Sequence, residues 1–278
     1  MTDEAPDLVA VNRTFHDHEC AYYDERFAIV HDAASARRAL AEIQQLLGRS
    51  LRPGDVVVDV GCGTGWLAAG LRRARPDVTV VGSDLSTGML SRARLAGGRP
   101  LVQADATVLP LAAASVDVIV CRGVLHHLPE VVRALREWRR VLRPNGAVVL
   151  SSEPTPAVEG HGAVLVRVLL ALLRRPLTAE EDFWEVASMA ANLHVFTVAD
   201  IDRLAREAGF TRPVLRTADW LSTMVLTASY VTHGRRPGVA RRLPWRRVEA
   251  IAARLDALVV DRLLPPALRH TVVGRLEP

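Results

Sequence analysis

The chain has 278 residues, which suggests one large domain or one domain plus a cap, and at 49% hydrophobic and 24% charged it is of ordinary globular composition and able to bury a core. All 35 basic residues are arginine, so no lysine is available as a base or Schiff-base nucleophile. Cys20, Cys62 and Cys121 are odd in number and lack metal-ligand spacing, which supports neither a disulfide framework nor a zinc site and fits a reducing, cytoplasmic compartment.

The acidic N-terminus has no apolar stretch, so no signal peptide is expected. The longest apolar run, 163–173, contains Arg167 and falls short of the roughly 20 residues of a bilayer span. Residues 1–50 include Phe15-His16-Asp17-His18-Glu19 and Ala21-Tyr22-Tyr23-Asp24-Glu25-Arg26-Phe27, which predict a helical cap with aromatics packed on the core. His16, Asp17, His18 and Glu19 are metal-ligand types, but neighbouring side chains at this spacing read as a solvated turn, and no metal is expected.

Val56-Val57-Val58-Asp59-Val60 predicts a strand apolar on both faces, as the centre of a parallel sheet covered by helices must be. Gly61, Gly63 and Gly65 follow at alternate positions, and Trp66 to Leu71 then has helical spacing. The glycine turn therefore joins a strand's carboxyl end to a helix N-terminus, where open α/β sheets bind ligands. Its G-x-G-x-G spacing differs from the dinucleotide fingerprint G-x-G-x-x-G.

A second strand, Val78-Thr79-Val80-Val81-Gly82-Ser83-Asp84, again ends in an acid that can accept ribose hydroxyls, and Ser86 is placed to cap the next helix, with Met89 one turn in. Leu101-Val102-Gln103-Ala104-Asp105-Ala106 and Ser115-Val116-Asp117-Val118-Ile119-Val120-Cys121 predict strands three and four, with Asp117 a turn residue satisfying backbone donors. Val124-Leu125-His126-His127-Leu128-Pro129 holds the first candidates for a catalytic base, His126 and His127, against a structural or positioning role. Residues 130–142 predict an amphipathic helix stopped by Arg143-Pro144-Asn145-Gly146, and Ala147-Val148-Val149-Leu150-Ser151 predicts strand five.

On these residues the chain resembles the class I S-adenosylmethionine-dependent methyltransferases, in particular small-molecule domains of the type 11 kind. The match is carried by Asp59-x-Gly61-x-Gly63-x-Gly65, Asp84, the Asp105-Ala106 pair, and Leu-Arg-Pro-Asn-Gly before strand five; it is strong over 51–153 and weaker over 196–218. The resemblance implies a doubly wound, Rossmann-like α/β fold with a seven-stranded sheet in the order 3-2-1-4-5-7-6, strand seven antiparallel, plus a helical N-terminal cap and lid insertions. It implies S-adenosyl-L-methionine as cofactor, leaving as S-adenosyl-L-homocysteine, held by Asp59, Gly61, Cys62, Gly63, Gly65, Asp84, Leu85, Met89, Asp105, Ala106, Cys121 and Arg122. By the same resemblance, Asp84 takes the ribose hydroxyls, Leu85 packs on the adenine, Asp105 and the Ala106 amide meet its edge, and Tyr23 or Tyr22 folds over the cofactor.

The expected organisation is a cap at 1–50, a cofactor core at 51–153, a lid at 154–196 that shapes the substrate site, and a C-terminal part of the core with a helical insertion at 197–278. The apolar lid, with a helix near 164–173 and the 183–186 and 192–196 segments, suggests an oily substrate; His194 is a reserve base. Thr197 to Gly209 predicts a capped helix, Pro213 to Thr217 strand six, and 220–233 and 245–264 helices; strand seven is assigned to Thr271-Val272-Val273-Gly274-Arg275, with 222–231 as the alternative. Arg235, Arg236, Arg241, Arg242, Arg246 and Arg247 cluster, but with a net charge of +4 and few aromatics nearby they read as a solvated turn and helix face rather than a phosphate site.

The function expected is methylation of an oxygen, nitrogen or carbon of a small, fairly apolar metabolite of natural-product type. The alternatives are an RNA or protein methyltransferase, and a methyltransferase fold recruited as a cyclase or a non-catalytic binding protein. No nucleic-acid partner and no transmembrane segment are expected, and the oligomeric state is open.

Overall fold

The structure, a computed structural model, describes residues 7–97, 99–172 and 191–278. The 183–186 part of the expected lid and the acidic residues 1–6 lie outside the described residues. Seven strands form one sheet in the order β3-β2-β1-β4-β5-β7-β6. They are β1 (Val56–Val60), β2 (Thr79–Asp84), β3 (Leu101–Gln103), β4 (Val116–Arg122), β5 (Leu142–Pro154), β6 (Arg212–Ala218) and β7 (Thr271–Glu277).

The valine run of β1 sits where its composition demands, between β2 and β4, with Val58 paired to Val81 on one side and Ile119 on the other. Successive residues point to opposite faces and both faces are buried. Val57, Val80, Val118 and Val149 pack under α3 (Ala33–Leu47) and α4 (Trp66–Ala74). Val58, Ile119, Val148 and Leu150 pack with Trp138 and Ile201, which belong to α6 (Val131–Val141) and α8 (Val198–Glu207). Trp138 is fully buried, and its indole N–H donates to the Ala106 carbonyl at 2.9 Å, so it ties α6 to the loop after β3.

β7 is antiparallel to both β5 and β6, so β6 runs in the same direction as the five strands before it. The loops after β1, β2, β4, β5 and β6 therefore meet at one edge. Strand seven is Thr271–Glu277, and the alternative at 222–231 lies instead inside α9 (Leu221–Arg235). The helix expected at 245–264 is present and continuous: α11 (Trp245–Leu255) passes through a wide helical turn, Asp256–Val260, into α12 (Asp261–Leu263).

One local expectation is corrected. Arg-Pro-Asn-Gly does not end α6; the helix stops at Val141 and β5 starts at once with the buried Leu142, paired to Val116. The Arg143 guanidinium bonds Asp117, and a side chain at Gly146 would lie 3.0 Å from the Asp117 carbonyl, so this stretch is pinned beside β4. Asp117 also accepts the Val56 N–H at 2.8 Å, the backbone-satisfying role its position suggested.

Over the carboxyl edge lie α1 (Leu8–Glu19) and α2 (Tyr23–Arg26) from the N-terminus, α7 (Ala163–Leu172) after β5, and α9, the short α10 (Pro237–Ala240) and α11. Among the described residues no helix is long and apolar enough to cross a membrane.

Candidate active site

The glycine turn after β1 is left-handed at Gly61, Gly63 and Gly65, with φ of 67°, 53° and 76°. Two of the three are also tightly packed: a Cβ on Gly61 would lie 2.4 Å from Val124 Cγ2, and one on Gly65 2.6 Å from the Ala93 Cβ. Gly63 differs, since a Cβ there would meet only Tyr23 Cε1, at 3.8 Å. The turn is closed from β2: one Asp84 oxygen accepts the Gly63 N–H at 2.8 Å and the other the Ser86 N–H at 2.9 Å. Ser86 in turn caps α5 (Thr87–Leu95) by accepting the Met89 N–H at 3.0 Å.

The N-terminal cap is fastened to three of the site loops. Asp24 accepts the Thr64 hydroxyl at 2.7 Å, which lays Tyr23 against Gly63. Asp17 accepts the Ser86 hydroxyl at 2.6 Å and the Gly88 N–H at 2.8 Å, and the Asn12 amide donates to the His127 carbonyl at 2.9 Å. Glu19 faces Arg26 at 3.4 Å. The acids of the His16 to Glu19 run are thus directed to different partners rather than to a common point.

Asp59 is the outlier of the site. It is buried, one carboxylate oxygen has no hydrogen-bond partner, and burial together with the nearby Asp84 pushes its carboxyl up to about 7. Burial pushes Asp84 up to about 6 in the same way, partly offset by the N–H groups of Ser86 and Gly63. A buried, unsatisfied carboxylate beside an open glycine fits a ligand carrying a cation and needing close backbone approach.

The loop after β4 is organised by a residue that the sequence reading missed, Glu153. A register shift in β5 between Leu150 and Glu153, with Ser152 at a left-handed φ of 61°, turns the Glu153 side chain beneath that loop. Its fully buried carboxylate accepts the N–H groups of Val124 at 2.9 Å, Leu125 at 3.0 Å and His126 at 3.2 Å, and lies 3.0 Å from His126 Nδ1. An ionised carboxylate can only accept, so Nδ1 carries a proton, and in the neutral ring Nε2 would be the acceptor. His127 Nδ1 meets the Ala191 carbonyl at 2.8 Å, and His194 Nε2 the Leu128 carbonyl at 3.1 Å.

A cavity of about 1960 Å³ joins these parts. Tyr23, Asp59, Gly61, Cys62, Gly63, Arg122, His126, His127 and His194 of the expected residues line it. Gly65, Asp84, Leu85, Met89, Asp105, Ala106 and Cys121 do not. Met89 is buried against the core, Asp105 accepts the Thr107 N–H of its own turn at 2.7 Å, and the buried Cys121 Sγ sits 3.5 Å from Glu153. Leu85 is half-buried and its carbonyl accepts from Gln103 at 3.3 Å. Arg122 bonds Glu42 at 2.8 Å, and Tyr22, although exposed, also lines the cavity.

A second missed residue, Asp219, lines the far end of the cavity. It follows β6 in a left-handed conformation, φ 57°, and its carboxylate accepts the Thr271 hydroxyl at 2.7 Å. Burial pushes its carboxyl up to about 6. Glu153 and Asp219 shared one readable signal with Asp59 and Asp84, an acid at the carboxyl end of a strand.

The sheet order with one antiparallel strand, and a glycine turn closed by the acid of the next strand, define the class I methyltransferase architecture. Residues 58–150, about a third of the chain, match the family described as "Methyltransferase domain", so this segment is similar to class I S-adenosylmethionine-dependent methyltransferase domains. It is 34% identical over 145 residues to a ubiquinone biosynthesis O-methyltransferase of Xanthomonas oryzae, covering 50% of this chain and 60% of that protein. It is 34% identical over 146 residues to the 27-O-demethylrifamycin SV methyltransferase of Amycolatopsis mediterranei, covering 49% and 52%. The chain thus spans about six-tenths of the length of the first curated relatives it matches. In fold it is similar to the cyclase SpnF, with a TM-score of 0.58 and 17% identity over 98% of this chain and 97% of that one.

Proposed function

We propose that the chain is a methyltransferase that uses S-adenosylmethionine to methylate an oxygen, nitrogen or carbon of a fairly apolar metabolite of natural-product type. The observation that carries this reading is the single cavity that runs from the unsatisfied Asp59 and the open Gly63, past His126, to a wall containing Phe27, Val166, Leu170 and Leu226. Its volume exceeds the usual 300–1,000 Å³ of one small-molecule site, which leaves room for an acceptor beside a cofactor.

The residues present fit the cofactor. Asp59 would take its ammonium group and the glycine turn its close approach, while Tyr23 covers the turn; Asp84, which the resemblance assigns to the ribose, is outside the cavity lining and closes the turn by accepting the Gly63 and Ser86 N–H groups. When bound, the sulfonium supplies an electrophilic methyl group. The protein's own part is then to align the acceptor, exclude water through the cap, and receive a proton at His126 Nε2, with Glu153 holding the ring. His127 and His194, bonded to backbone carbonyls, act as wall and positioning residues, and the described parts of 154–196, residues 154–172 and 191–196, serve as the substrate lid.

The test is calorimetric titration of S-adenosylmethionine and S-adenosylhomocysteine into wild type and Asp84→Ala, with NAD as control, followed by an acceptor screen. Micromolar binding, about −8 kcal/mol, weakened by the substitution supports the reading; binding of NAD alone would sink it. Tight cofactor binding with no S-adenosylhomocysteine formed across a broad acceptor panel would favour a recruited fold, and methylation of RNA would favour the nucleic-acid alternative.

A further inference from the structure

The C-terminal insertion distributes its residues in an unusual way. Along α11 and the wide turn after it, Arg246, Glu249, Ala250, Ala253, Arg254 and Ala257 line the cavity. The other face carries Val248, Ile251, Leu255, Leu258 and Val259, all exposed, Ile251 by 59% and Leu258 by 63%. Their spacing of three and four residues makes one apolar stripe, but it faces solvent instead of the core. α7 repeats the arrangement: Val166 and Leu170 line the cavity, while Val164, Val168 and Leu172 are exposed at intervals of four, with the exposed Arg167 among them. Both helices pack against α9.

The charges around the stripe are sorted by sign. Arg236, Arg241, Arg242, Arg246, Arg247, Arg254 and Arg262 are exposed, with Arg241, Arg246, Arg254 and Arg262 also lining the cavity and Arg241 lying 3.4 Å from Glu25, whereas no acid between 235 and 263 is exposed. The three acids there turn inward. Asp256 is buried and accepts the N–H groups of Leu221 and Ser222, at 2.9 and 2.7 Å. Asp261 accepts the Asp219 N–H at 2.9 Å, and Glu249 faces the cavity, where burial raises its carboxyl despite the nearby Arg122. A solvated helix face would not need to expose five aliphatic side chains, nor to exclude acids.

We propose that α11 and the turn that follows it dock on the surface of an anionic lipid bilayer, with the aliphatic stripe in the headgroup boundary and the arginines on lipid phosphates. A helix that is apolar on one side and rich in arginine beside it lies in the interfacial plane, and long arginine stems let the charge remain at headgroup level. Charge complementarity with anionic lipid selects this occupant. A nucleic acid would leave the aliphatic stripe without a partner, and self-association through the same patch on two copies would set arginine clusters against each other. Because the reverse side of α11 lines the cavity, docking would bring the cavity wall to the membrane, a source of apolar acceptors. The proposal does not depend on methyl transfer.

Flotation with vesicles of phosphatidylcholine alone, and of phosphatidylcholine mixed with phosphatidylglycerol, tests it on the full chain without cofactor. The expected result is flotation with the mixed vesicles only, weakening as salt is raised. Arg242→Gln/Arg247→Gln should lower vesicle affinity about five-fold for each arginine removed, and Ile251→Ser/Leu258→Ser should abolish flotation. All four side chains are exposed and outside the cavity lining, so the thermal midpoint should hold, which separates lost docking from lost folding. No flotation of the wild type overturns the proposal, as does equal flotation on both vesicle types. A wild-type dimer made monomeric by the Ile251/Leu258 pair, or RNA binding lost with the arginine pair in a protein that ignores vesicles, overturns it as well.

Discussion

Glu153 Oε2 lies 3.0 Å from His126 Nδ1, so the end of β5 and the loop after β4 are joined by one buried carboxylate. Burial alone would raise that carboxyl, but the His126 ring and the Val124 and Leu125 N–H groups outweigh it and hold Glu153 below the ordinary carboxylate range. Glu153→Gln places an amide where only acceptors fit, and should destabilise the fold by about 2 kcal/mol. If the dyad positions the base, kcat should fall about 100-fold in Glu153→Gln and in His126→Ala, with cofactor Kd changed less than three-fold. An undiminished kcat in His126→Ala would remove the base from the mechanism.

The carboxyl of Asp59, raised to about 7, gives cofactor binding a pH dependence of defined sign. Below pH 7 the free protein holds Asp59 protonated, and an ammonium ligand requires it ionised. Affinity for S-adenosylmethionine should therefore weaken about ten-fold for each pH unit below 7, and binding there should release a proton. Calorimetry in buffers of different ionisation enthalpy reads that release. Asp59→Asn should bind more weakly above pH 7 and lose the pH dependence.

Gly61 and Gly63 separate folding from binding. At Gly61 an added Cβ meets Val124 at 2.4 Å in a left-handed backbone, while Glu153 holds the Val124 N–H, so Val124 cannot retreat without breaking that bond. Gly61→Ala should lower the unfolding free energy by about 3 kcal/mol in chemical denaturation. At Gly63 the space is open, and Gly63→Ala should cost only about 1–2 kcal/mol of backbone strain but weaken cofactor binding at least ten-fold.

The central strands, the glycine turn and the Ser86 cap were legible because each depends on local pattern: β-branched runs, alternate glycines, a hydroxyl before a helix; the sheet order came only from the family resemblance. Strand seven was readable as Thr271 to Arg275, although the α9 segment shares its apolar composition; a strand and a buried helix segment differ little in hydrophobicity alone. Glu153 was hidden because a bulge, not a repeat, aims its side chain. Asp219 was hidden because its environment is assembled from Thr271 and Asp261, 52 and 42 residues away in sequence, and long-range pairs leave no local trace. The outward aliphatic stripe of α11 is the reverse case: its period was visible, but sequence does not say which face meets the core.

His16 gives the cap an acid limit. Its ring stacks edge-on against His127 at 5.0 Å, and burial, with His126 adding to it, lowers its pKa to about 4 despite Asp17. The unfolded chain protonates His16 near 6.5 and the folded chain near 4, so between these values the unfolded state binds more protons. Stability from this group is complete above pH 6.5 and is lost as pH falls toward 4, by up to about 3 kcal/mol. Desolvation also holds His127 well below its usual value, so its loss adds to that of His16. Urea denaturation of wild type and His16→Leu at pH 7 and pH 4.5 isolates the effect: the wild type should lose more stability on acidification, and equal losses would show that His16 is not the group that titrates.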